Sequence, residues 1–87
     1  MTIEIHKHWR VSMYVGPTLV RSVTDALQHY GAVHVWGGTE RVYWEVEAPT
    51  GNEARDDAQA RVLGLWPSAG FQVTVTGLVS SVEIKDL

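Results

Sequence analysis

The residues best suited to chemistry in this sequence are histidines, aromatic residues and a few charged side chains, and their spacing limits what they can do. His6 and His8 stand two apart near the start of the chain, and in extended backbone such a pair projects from one side. Zinc takes three or four ligands from a protein, so this pair would need His34 or Glu45 brought close before it made a metal site. Neither is near in sequence, and the pair reads as two exposed histidines. No metal and no organic cofactor is expected. Serine, histidine and aspartate all occur, but no spacing joins them into a nucleophile, a base and an orienting acid. There is no cysteine, which removes disulfides, thiolate nucleophiles and thiolate metal ligands.

A second group is more coherent. Arg10, Tyr14, His34, Trp36, Tyr43 and Glu45 alternate with apolar residues along three separate extended segments. Gathered on one sheet face, they would form a surface of aromatic rings and mixed charge that suits a ligand or a subunit interface, because aromatic residues concentrate at interface cores. Bases of nucleic acid also stack on such rings. Glu45 and Glu47 share the central segment, however, and the chain has a net charge of −3 with its seven Lys and Arg scattered. Nucleic acid is therefore not an expected partner.

The elements that must position these residues are legible from periodicity. Ile3, Ile5, Trp9, Val11, Met13 and Val15 alternate with polar residues, which marks a long half-buried strand with Arg10 to Val15 inside the domain and Ile3 to Trp9 as an extension. Gly16-Pro17-Thr18 ends it and opens a helix from Thr18 to Tyr30, with Leu19, Val20, Val23, Leu27 and Tyr30 at helical spacing and Gly31 as the stop. Val33 to Trp36 is a short strand. Gly37 and Gly38 read as hairpin glycines supplying positive φ, and Arg41 to Glu47 alternates again. Thr50-Gly-Asn-Glu53 matches a capping box before a helix from Asn52 to Trp66, and Phe71 to Thr76 is the last core strand. The tail after Gly77 alternates once more at Val82 and Ile84.

The order β-α-β-β-α-β in one domain over residues 1–87 predicts an α+β, ferredoxin-like βαββαβ sandwich. Its antiparallel sheet would have strand order 4-1-3-2 and carry both helices on one face. The last strand then runs antiparallel to the first. A one-residue register shift at Gly77-Leu78 would set Val82 and Ile84 beside Ile3 and Ile5, giving an N- and C-terminal β arm with an apolar side and no helix above it. Such an arm is barely stable alone in water, so a homodimer is expected, with the arm residues Ile3, Ile5, Val82 and Ile84 covered by the second subunit.

Over Val11 to Val35 the chain resembles the first half of an ACT-type regulatory domain: a strand, a glycine-bearing turn, a helix, and a second glycine before the next strand. The resemblance implies a module that dimerises and holds a small ligand between subunits. An apolar fraction of 45% and a charged fraction of 20% are ordinary for a soluble globular chain. No signal peptide or membrane-length apolar run is present, so a cytoplasmic location is expected. Together these features read as a small non-enzymatic binding or regulatory module contacting itself and a protein partner or small ligand. The alternative is a cofactor-free dimeric enzyme whose pocket is lined by His34 and Tyr43.

Overall fold

The structure, a computed structural model, describes residues 2–85, and for 2, 4, 5 and 80–85 the backbone alone. Its elements follow the expected order: β1 (Thr2–Tyr14), α1 (Val20–His29), β2 (Val33–Gly37), β3 (Arg41–Glu47), α2 (Gly51–Leu65) and β4 (Val73–Lys85). The architecture is α+β, a four-stranded sheet in the order β2-β3-β1-β4, which from the other edge reads 4-1-3-2. Every adjacent pair is antiparallel. No helix among the described residues is long and apolar enough to cross a membrane.

Alternation along the central strands builds the core. Val11 and Met13 of β1, Val42 and Trp44 of β3 and Val73 of β4 are buried in one cluster with Val23 and Leu27 of α1 and Ala58 and Val62 of α2. Both helices thus lie on the same face of the sheet. Ala54 and Ala58 are both buried, and their small side chains let α2 lie close to the strands. The Thr50 hydroxyl caps α2 by accepting from the Glu53 N–H at 3.2 Å, satisfying one of the free donors at the helix start.

Helix α1 differs from its expected form. It begins at Val20 rather than Thr18, and its N-cap, Leu19, makes no side-chain cap hydrogen bond. Gly16 adopts φ 84, and the Leu19 N–H bonds back to the Gly16 carbonyl, so the chain spends residues 17–19 in a turn. Leu19 and Tyr30, placed on the buried stripe by their spacing, are exposed because they sit outside the helix proper.

The hairpin glycines also act otherwise than expected. Positive φ among glycines falls at Gly16, Gly31 and Gly70, not at Gly37 or Gly38. Gly37 instead permits a close approach of α1: a Cβ there would stand 2.5 Å from Val20 Cγ1 and 3.2 Å from Thr24 Oγ1.

Two bulges disturb the sheet. The pairing of β1 with β4 passes from Val11↔Val75 to Arg10↔Gly77, so the extra residue lies at Thr76, slightly before the Gly77-Leu78 position expected. Beyond it the register sets Ile5 opposite Val82 and Ile3 opposite Ile84. Pairing with β3 reaches only to His8, and the layer of helices ends where Gly51, the first residue of α2, lies against the Trp9 ring. The stretch Thr2 to Lys7 with its β4 partner is thus a two-stranded ribbon about 20 Å long, in a molecule whose longest extent is 48 Å. Ile3 is exposed; the side chains of Ile5, Val82 and Ile84, expected on the arm's apolar side, lie outside the described ones. The second bulge is in β2, where the register passes from Val33↔Glu45 to Trp36↔Tyr43 and His34 takes φ 53.

Gln59 of α2 closes the start of the β4 edge. Its side-chain Nε2 donates to the Phe71 carbonyl at 2.9 Å, and its Oε1 accepts from the Val73 N–H at 2.8 Å, so one amide side chain stands in for a missing neighbouring strand. Gln59→Ala is expected to lower stability by about 1–2 kcal/mol, the loss of two neutral hydrogen bonds at a partly wetted site. Urea denaturation should show it as a lower midpoint with an unchanged slope.

Candidate functional site

The sheet face away from the helices is organised in rows, because residues directly opposite on neighbouring strands share a face. One row runs Trp36, Tyr43, Ser12, Thr74 and the next Arg41, Tyr14. Glu45 stands opposite Arg10 on one side and Val33 on the other. The residues singled out by alternation therefore do converge, with the β2 bulge adjusting Trp36 to sit over Tyr43.

The aromatic part is a stack. Trp36 and Tyr43 have ring centroids 4.0 Å apart and an interplanar angle of 9°. The stack lies on the sheet rather than in it: Trp36 on the edge strand is 50% exposed, and Tyr14, two strands in, is 55% exposed. Beneath them Ser12 has no exposed surface at all, although its position in β1 puts it on the open face. Its hydroxyl accepts from Arg41 Nη2 at 3.0 Å, so the half-buried guanidinium roofs the serine. Alternation puts Ser12 on the open face, but neither its burial nor its partner Arg41 is legible in the sequence. A serine alternating with apolar residues looks like a solvated outer position, and only the register brings Arg41 across to it.

The charged groups divide. The Glu45 side chain is only 15% exposed, with its carboxylate 4.0 Å from His34 Nε2, while His34 itself is largely in solvent. Toward the ribbon, His6 Nδ1 donates to Glu47 Oε1 at 2.9 Å, since an ionised carboxylate can only accept. That hydrogen bond holds the Glu47 carboxyl below its usual range. His6 and His8 have ring centroids 6.4 Å apart, and among the described residues no group of three or more His, Cys, Asp or Glu is placed to hold a metal ion.

Neither of two concavities formed by the described residues includes the aromatic centre of this face. The larger, about 680 Å³, is lined by Lys7, Glu47, Ala48 and Pro49 at the root of the ribbon. The smaller, about 200 Å³, opens between the Gly31 turn, the end of β3 and α2, with Asp57 and Arg61 in its wall. His34 and Tyr43 line neither of the two. Comparison with protein-family models, with curated proteins and with solved structures finds no match to this chain.

Proposed function

We propose that the chain is a non-enzymatic binding module of ferredoxin-like type that works as a homodimer and meets a protein partner or small ligand on its open sheet face. The observation that carries the reading is the ribbon of β1 and β4 beyond Trp9. A two-stranded ribbon is at best marginally stable in water, and a domain of this size has little stability to spare for one, so a second copy supplies what the helices do not. The exposed stack of Trp36 on Tyr43, with Tyr14 close by, gives the face the composition of an interface core. The likeness to ACT-type domains is supported by Gly16 and Gly31, which take φ 84 and φ 88 at the two turns on which it rests.

The test is light scattering of the full chain at micromolar concentration. The expected mass is twice the 9.7 kDa of one chain, and a monomer would overturn the reading.

A further inference from the structure

We infer that two copies join edge to edge through β4, extending two four-stranded sheets into one continuous sheet. The inference rests on the homodimer reading and specifies the surface.

The two edges of the sheet differ in kind. β2 is 5 residues long and broken by the left-handed residue His34, both devices that blunt an edge. β4 is 13 residues long and among the described residues pairs with β1 alone. From Val73 to Val82 its sequence contains no charged residue and no proline, so apart from the bulge at Thr76 the charge and proline that usually protect an exposed edge are missing over most of its length.

The direction of its free hydrogen-bonding groups follows from Gln59. The Gln59 side chain meets the Phe71 carbonyl and the Val73 N–H on the side of β4 away from β1. Val73 lies on the helix face, and in a strand the residues of one face turn their N–H and C=O to one side. Leu78 is opposite Trp9, which packs on α2, so the bulge at Thr76 returns Leu78 to that same face. Outward-directed backbone therefore belongs to Val75, Leu78, Ser80, Val82 and Ile84. The Gln59 clamp closes this row at its first residue and leaves it open from Val75 onward.

A second copy fits the row because an antiparallel edge is complementary to itself about a two-fold axis. Pairing there also makes the ribbon four strands wide, past the width at which a sheet becomes independently stable.

Amide hydrogen exchange by NMR on the full chain, with light scattering of Ser80→Pro and Ser80→Ala, tests this. Expected is a dimer in which the Leu78, Ser80 and Val82 amides exchange at least about tenfold more slowly than open-edge amides. Ser80→Pro should become a monomer with native circular dichroism, since a proline at an outward N–H is tolerated within the fold, and Ser80→Ala should stay dimeric. A dimer whose outward amides exchange freely, a dimeric Ser80→Pro, or a monomeric Ser80→Ala would sink the edge pairing while leaving the homodimer reading intact. A wild-type monomer would sink both.

Discussion

Trp44→Ala is expected to cost about 3–5 kcal/mol and to leave a large fraction of the chain unfolded without denaturant. Trp44 is 2% exposed and is among the largest fully buried side chains; it sits on β3 between β1 and β2, facing the helices. Its removal takes away apolar area and leaves a void that the surrounding core closes only in part, because β3 is held by pairing on both sides and the small Ala58 and Val62 of α2 are too short to reach into it. A domain of this size has a total stability of about 5–15 kcal/mol at most, and small domains lie at the low end. Chemical denaturation should show a midpoint shifted far down or no native baseline. Trp36→Ala on the open face, by comparison, should shift the midpoint little, since half of that side chain is already in water.

Gly37→Ala should cost about 1–3 kcal/mol, unusual for a change of one methyl group at the end of an edge strand. The added Cβ would meet Val20 Cγ1 at 2.5 Å, well inside contact distance. Val20 has little freedom to move aside, because a β-branched residue in a helix keeps one χ1 rotamer. Thr24, 3.2 Å from the same point, is pinned by its hydroxyl donating to the Val20 carbonyl at 2.7 Å. Adding Val20→Ala removes the clashing methyl. The double variant should then be more stable than the sum of the two single effects, and a double-mutant cycle measured by thermal unfolding gives the coupling directly. Strict additivity would mean that α1 simply shifts away from the sheet.

The order of elements was legible because alternation and helical spacing are written over long runs: Val42, Trp44 and Val46 in one strand, Ala54, Ala58 and Val62 along one helix. Boundaries set by a turn were less so. Thr18 has the chemistry of a helix cap, yet the chain follows the left-handed Gly16 into a turn and reaches helical geometry two residues later. His34 gave no sign of its conformation, since histidine has no strong need for positive φ; only pairing with β3 forces an extra residue into β2. On the open face alternation gave neighbours but not contacts, and at His34 the β2 bulge broke the alternation itself, setting Val33 opposite Glu45. Alternation gathers Arg10, Tyr14, Trp36, Tyr43 and Glu45, but the roofing of Ser12 by Arg41 and the closing of the β4 edge by Gln59 are contacts across 29 and up to 14 positions of sequence. No local pattern encodes them.

The extra residue at Thr76 makes β4 two strands in opposite phase joined end to end: Val73 and Val75 keep one beat, and the positions from Leu78 onward keep the other. For that reason the faces of its second half are set by the bulge as much as by the alternation of its letters. Deleting Thr76 would leave Gly77 opposite Arg10 and Leu78 opposite Trp9 and merely close the bulge. Keeping Thr76 and pairing it with Arg10 in an unbroken ladder would instead turn every later residue over, from the helix side to the open side. The bulge therefore keeps the count along β4: without it the same letters would be read one position out of step to the end of the chain, much as a frameshift alters the reading of a gene.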